Sequence, residues 1–271
     1  MTVVLWHIEV SHYNEKARWA LDYKSIAHEL RVPMPGLHGA RALMLTRGKH
    51  RRLPVMELEG RRIGDSTAII AALEAYQPEP ALYPADPVQR ARALELEDFF
   101  DEQLAPQLRR LVWHHTLQST DAIADSLFAD RAPGRARFLR ATAPVVRPFV
   151  RADYGVSAES AEVALGEVIG AMDRIEAELQ PSGYLVGDGF SVADLTAAAL
   201  FTPLLAPPHR PYLPPTFPAA LQPLREELTA RPGGVWIHQM YERHRRPGGS
   251  ASAAASASGD AVPASAPLSS A

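Results

Sequence analysis

Four prolines crowded into residues 78–87 (Pro78, Pro80, Pro84 and Pro87) divide this chain into two stretches of different periodicity. Proline fixes φ and lacks an amide hydrogen, so neither a regular helix nor a central strand runs through such a segment. It reads as a linker between two domains. Before it, short β-branched runs alternate with helical spacing. After it, helical spacing alone recurs.

In the first stretch, residues 2–8 (TVVLWHI) predict a strand. Ala17, Ala20 and Leu21 recur at helical spacing from His12 to about Lys24. Residues 28–32 predict a second strand, closed by Pro33 and the Pro35-Gly36 loop. A short helix over 38–47 ends before Gly48. Strands at 54–58 and 61–64 flank the turn Glu59-Gly60, and a helix runs from Ser66 to Tyr76. The order β-α-β-α-β-β-α predicts a small α/β unit with a helical crossover between its first two strands.

The second stretch predicts an all-α domain. Residues 88–118 form one amphipathic pattern with an acidic run (Glu95, Glu97, Asp98, Asp101, Glu102), which Pro106 should kink or restart. Residues 121–155 are less regular, interrupted by Pro133-Gly134, Pro144 and Pro148. A helix over 158–179 stops at Pro181 and Gly183. Ser191 opens another that runs to about Leu205, 206–218 is proline-rich and non-helical, and short helices cover 218–230 and 234–245. Residues 247–271 are rich in Ser, Ala, Gly and Pro, with Asp260 the one charge; such a tail cannot bury a core and is expected to be disordered. The expected limits are therefore 1–77, a linker at 78–87, a helical domain at 88–246 and a tail at 247–271.

Of the 271 residues, 46% are hydrophobic and 22% charged, the balance of a soluble globular protein. A formal net charge of −3 argues against non-specific nucleic-acid binding. No run reaches the ~18–20 apolar residues of a membrane span. MTVVLWHIEV has neither a basic leader nor a small-residue cleavage site, so a cytoplasmic location is the default expectation. The chain has no cysteine, which excludes disulfides, thiolate metal sites and a cysteine nucleophile. Any thiol chemistry must use a ligand's thiol. The histidines lack the i, i+4 spacing and acidic partners of a zinc helix, and no metal is implied.

Three segments carry chemistry. In Ser11-His12-Tyr13-Asn14-Glu15-Lys16-Ala17-Arg18-Trp19 a hydroxyl stands where a strand turns into a helix. A hydroxyl donor and the positive end of a helix both favour an anion; the plainer role for Ser11 is an N-cap. Leu53-Pro54 is an apolar-Pro step at the start of a strand. Asp65-Ser66 puts a carboxylate and a hydroxyl at a helix N-terminus, where a ligand carboxylate is readily held; either residue alone is also a cap. The cluster Arg47, Lys49, His50, Arg51, Arg52 makes a cationic rim. Ser191-Val192-Ala193-Asp194 forms a capping box with a structural role.

These segments, in this order, resemble the cytosolic glutathione S-transferases of the serine type, over roughly residues 2–245. The resemblance implies a thioredoxin-like N-terminal domain, an all-α C-terminal domain, and glutathione as co-substrate. It makes Ser11 the group that favours the thiolate, with Asn14 as a second candidate donor or a polar residue of the first helical turn. It makes the Leu53-Pro54 bond cis and assigns Arg52, Leu53, Pro54, Asp65 and Ser66 to glutathione. Tyr13, Trp113, His114 and Leu117 are then candidates for the wall against a small hydrophobic electrophile. Asn14 stands where some relatives carry Cys, so chemistry through a mixed disulfide with the protein is disfavoured. A homodimer and a part in detoxification are implied too. A non-catalytic binding protein of the same fold, a glutathione-dependent peroxidase or isomerase, and a protein specific for another small thiol remain alternatives.

Overall fold

The computed structural model describes residues 2–34, 37–119, 123, 144–145, 147–212 and 216–245. The N-terminal half runs β1 (Val3–Trp6), α1 (His12–Tyr23), β2 (His28–Arg31), α2 (His38–Leu45), β3 (Val55–Leu58), β4 (Arg61–Gly64) and α3 (Ser66–Tyr76), the expected order. The sheet order is β2-β1-β3-β4. β1 pairs parallel with β2 and antiparallel with β3, and β3 pairs antiparallel with β4. Helices cover both faces, so β1 is apolar throughout. Val3 and Leu5 join Met56 and Leu58 against Ala17, Leu21, Ile69 and Leu73 of α1 and α3. Val4 and Trp6 point the other way, with Val55, onto Ala42 and Leu45 of α2.

Residues 77–86 have no regular structure, as the prolines demand. The buried Lys24 ammonium holds this segment against α1. It donates to the carbonyls of Gln77 (2.8 Å), Pro78 (3.3 Å) and Pro80 (2.9 Å) and pairs with Glu74 at 2.5 Å.

The helical half begins with α4 (Pro87–Phe99), whose N-cap Asp86 accepts from the amides of Val88 and Gln89. The helical pattern restarts at Pro106, as expected. A π-helical turn, Phe100–Leu104, leads into α5 (Ala105–Thr116), and Pro106 falls in the first turn of α5, where its missing amide costs least. Residues 147–154 are helical. Then follow α6 (Ala158–Glu178), α7 (Val192–Leu200), α8 (Thr202–Leu205), a short 3-10 turn (Ala219–Leu221), α9 (Gln222–Ala230) and α10 (Pro232–His244). The helix expected to run from Ser191 to about Leu205 is divided at Phe201. Most of the stretch expected to be irregular (121–155), and all of the tail at 247–271, lie outside the described residues.

Every residue of α7 is buried. At its start the Asp194 carboxylate accepts from the Ser191 amide (2.9 Å), the Ser191 hydroxyl (2.9 Å) and the Leu185 amide (2.8 Å). This is the expected structural role of the Ser191–Asp194 pair.

The helical periodicity of α1 understates its burial. Asn14, Glu15, Lys16 and Arg18 are buried along with Ala17, Trp19, Ala20 and Leu21. Their partners come largely from distant elements. Lys16 pairs with Glu97 at 2.8 Å and with Asp101, both in the helical half. Glu15 lies between Arg18 and Arg245, each at 2.8 Å. Trp19 donates to the His244 carbonyl at 3.1 Å. Thus α1 is the seam that joins the two halves.

Candidate functional site

β1 ends in a short loop that enters α1 through Ser11, the helix N-cap. Ser11 makes no side-chain capping bond. Its Oγ instead accepts from Asn14 Nδ2 at 2.7 Å. The second Nδ2 proton goes to the Leu53 carbonyl at 3.2 Å, and Asn14 Oδ1 accepts from the Ile8 amide at 3.1 Å. Asn14 is wholly buried. Both of its amide protons are committed, so it ties the β1–α1 loop, Ser11 and the Leu53 turn together rather than presenting a donor of its own. Because Ser11 Oγ already accepts, its proton is free to point out of the helix.

The Leu53–Pro54 bond is cis. Val55, just beyond it, pairs in register with Gly64 at the end of β4. That pairing brings Asp65 and Ser66 next to the Leu53 turn. Asp65 adopts a φ of 77°, an uncommon conformation for a residue with a side chain. Its Oδ1 accepts from the amides of Thr67 (3.0 Å) and Ala68 (3.1 Å), and its Oδ2 takes no hydrogen bond among the described residues. Ser66 is buried at the first turn of α3.

Two matches bear on this arrangement. Residues 5–81 match the family model described as glutathione S-transferase, N-terminal domain, and residues 139–232 match that of the C-terminal domain. The chain belongs to the glutathione S-transferase family. A curated relative, "Probable maleylacetoacetate isomerase 1" of Drosophila melanogaster, is 38% identical over 55 residues, 20% of this chain and 22% of that protein. The chain thus matches less than a quarter of that relative's length. Among solved structures, the beta-etherase LigF from Sphingobium sp. strain SYK-6 shares 22% identity over 88% of this chain and 99% of its own, with a TM-score of 0.58. A theta class glutathione S-transferase from Xanthomonas axonopodis pv. citri, with glutathione bound, shares 20% identity over 86% and 95%, with a TM-score of 0.54. At these identities the structural likeness speaks to the fold.

In this family member, the helical half reaches the Leu53 turn through a segment that the sequence reading did not single out. Asp153 accepts from Arg51 at 2.8 Å and from Arg52 at 3.5 Å. Arg52 also lies over the Tyr154 ring, 5.4 Å from its centroid. Trp113 stacks on Tyr154 at 6.0 Å with an interplanar angle of 20°. Arg109, one helical turn before Trp113 on α5, lies 4.7 Å from the Tyr154 ring and 5.9 Å from the Tyr13 ring. Asp153 and Tyr154 fall in a stretch without regular periodicity, so only their types offered a signal.

The other candidates divide. The Tyr13 hydroxyl donates to the Asp101 carbonyl at 2.7 Å, and burial raises its pKa further from neutrality, so this phenol packs. His114 is half-buried, edge-on to His115 at 5.0 Å. Leu117 corrects the expectation for it: the side chain is fully buried in a cluster with Ile123 and Val156, so it forms part of the packing behind the wall rather than its surface. His12, beside Ser11, is buried. Burial pushes its pKa down to about 3, with Arg109 and Arg210 adding to the effect, and its Nε2 has no hydrogen-bond partner. Among the described residues no group of His, Asp and Glu is arranged to hold a metal, and no helix is long and apolar enough to cross a membrane.

Proposed function

We propose that this chain is a serine-type glutathione transferase, in which Ser11 favours the thiolate of bound glutathione for attack on an electrophile. The observation that carries the proposal is the Asn14–Ser11 hydrogen bond of 2.7 Å. It fills an acceptor site of the Ser11 oxygen and leaves the hydroxyl proton to donate to sulfur. A thiol with an ordinary pKa of ~8.5 is mostly protonated at neutral pH. A hydroxyl donor at the positive end of α1 lowers that value and raises the fraction of nucleophile.

The rest of glutathione has matching partners. The Leu53 backbone pairs with the cysteinyl unit in the manner of an added strand. The γ-glutamyl carboxylate is held at the α3 N-terminus by Ser66, and the ammonium by Asp65. Arg52 is in reach of the glycyl carboxylate. The electrophile lies against Tyr13, Trp113 and His114. Under this proposal residues 1–77 form the glutathione-binding domain, 78–87 the linker and 88–246 the helical domain, and the protein works as a cytoplasmic homodimer in detoxification. The likeness over 55 residues to an isomerase favours glutathione-dependent isomerisation as the second reading.

Calorimetric titration with reduced glutathione tests the site. Wild type should bind, and Ser66→Ala should lose most of the affinity. Ser11→Ala should still bind, but the ultraviolet absorbance of the bound thiolate should appear only at higher pH. No heat at millimolar glutathione would sink the proposal.

A further inference from the structure

Arg109 differs in its surroundings from the other arginines around the site. Arg51 and Arg52 share Asp153. Arg110 donates to the Tyr154 carbonyl at 3.3 Å and to Gln107. Deeper in the protein, Arg18 and Arg245 each hold the Glu15 carboxylate. Arg109 has neither an ion pair nor a hydrogen bond among the described residues, and its Nε is buried without a partner. Burial pushes its pKa down, yet a guanidinium stays charged at any physiological pH. A half-buried cation without a counter-ion is costly. The rings of Tyr13 and Tyr154, at 5.9 and 4.7 Å, offset part of that cost. The carboxylate that acts on Arg109, Asp153, is already shared by Arg51 and Arg52.

Its position gives the missing partner a role. Ser11 is joined to Leu53 through Asn14, Arg52 reaches from the Leu53 turn to Tyr154, and Arg109 bridges Tyr154 and Tyr13, two residues after Ser11. These contacts link the Ser11 hydroxyl to the Arg109 guanidinium through the Leu53 turn and the rings of Tyr154 and Tyr13. Four guanidiniums, Arg51, Arg52, Arg109 and Arg110, stand around one carboxylate, Asp153. Asp101 is already held by Lys16 and Thr67, and Glu102 is exposed. His12, kept neutral, supplies no charge. The walls beside Arg109 are flat: Trp113 lies on Tyr154 at an interplanar angle of 20°.

We infer that the second substrate is a planar electrophile bearing a carboxylate, and that Arg109 is the residue that receives this carboxylate between Tyr13 and Tyr154. The inference rests on the glutathione reading above and narrows its substrate class. A forked guanidinium suits the two oxygens of a carboxylate.

The test uses the full chain and a matched pair of probes, chlorodinitrobenzoate and chlorodinitrobenzamide. In each reaction the sulfur–carbon bond forms, the carbon–chlorine bond breaks, chloride leaves with the bonding pair and the thiol proton passes to solvent. Wild type should prefer the benzoate in kcat/KM. Arg109→Gln should cut the benzoate-to-benzamide ratio of kcat/KM by about 10-fold or more, and Arg109→Lys should fall between them. A ratio that is the same in wild type and Arg109→Gln overturns the inference. Calorimetry on wild type with glutathione and with the two S-aryl conjugates covers slow turnover and a poorly folded variant. Tighter binding of the carboxylate conjugate supports the inference. Equal binding of both conjugates, with glutathione still bound, overturns it alone. Failure to bind glutathione at all overturns the underlying reading as well.

Discussion

Replacing Lys16 by methionine tests whether buried charge holds the site together. The Lys16 ammonium is fully buried, 2.8 Å from Glu97 and in contact with Asp101, and it donates to Thr67 Oγ1 at 3.0 Å. Thr67 in turn donates to Asp101 at 2.6 Å. The group joins α1, α3, α4 and the π turn, the elements that carry Ser11 and Ser66. Methionine matches the length of lysine but leaves two buried carboxylates side by side without a cation. Breaking a buried pair in this way costs about 3–5 kcal/mol, because the remaining charge stays desolvated. Burial already holds the Glu97 pKa above its ordinary value with Lys16 present. Without Lys16 the buried Glu97 carboxyl should take up a proton on folding. The folded state then binds more protons than the unfolded state, so the stability of Lys16→Met should rise as pH falls from 7 towards 5. Urea unfolding of wild type and variant across that range gives both quantities. The triple variant Lys16→Met/Glu97→Gln/Asp101→Asn should recover much of the loss, since it removes the stranded charges. A loss under ~1 kcal/mol in Lys16→Met, with no change in pH slope, would refute the reasoning.

Two further outcomes are expected. Asn14→Ala removes three hydrogen bonds at a buried position, to Ile8, Ser11 and Leu53, and should cost about 2–4 kcal/mol in denaturant unfolding while weakening glutathione binding by calorimetry more than Ser11→Ala does. His12 has its pKa lowered from 6.5 to about 3 in the folded protein, so the stability it contributes is present above pH 6.5 and lost as pH falls below it. The stability difference between wild type and His12→Phe should therefore shrink by about 1.4 kcal/mol per pH unit below that point, as followed by unfolding at each pH.

Much of the fold was legible because its signals are local. The strands and helices of the N-terminal half are set by periodicity over a few residues and by punctuation such as Pro33, Gly48 and Glu59-Gly60. The Ser191–Asp194 pair announces α7 within four residues. Of the candidate site, Ser11, Leu53, Pro54, Asp65 and Ser66 could be picked out because each sits at a junction of elements. Leu117 was misread because its position on α5 was visible but its packing partners were not; Ile123 and Val156 lie beyond the helix. Pro106 was legible as a restart point because proline suits the first turn of a helix, and α5 begins there after the π turn.

The sequence by itself determined the order of elements in the N-terminal half and the irregular, proline-rich segment that follows it. Tertiary structure alone decided which charges are interior. Asn14, Glu15, Lys16 and Arg18 look like the polar side of a surface helix, and all four are buried. Their partners at Leu53, Arg245, Glu97 and Asp101 are too far along the chain to leave any periodic trace. Folding brings them together because a buried charge or amide is tolerated only when it is paired. Arg109, with neither an ion pair nor a hydrogen bond among the described residues, is the exception that the proposed carboxylate would complete.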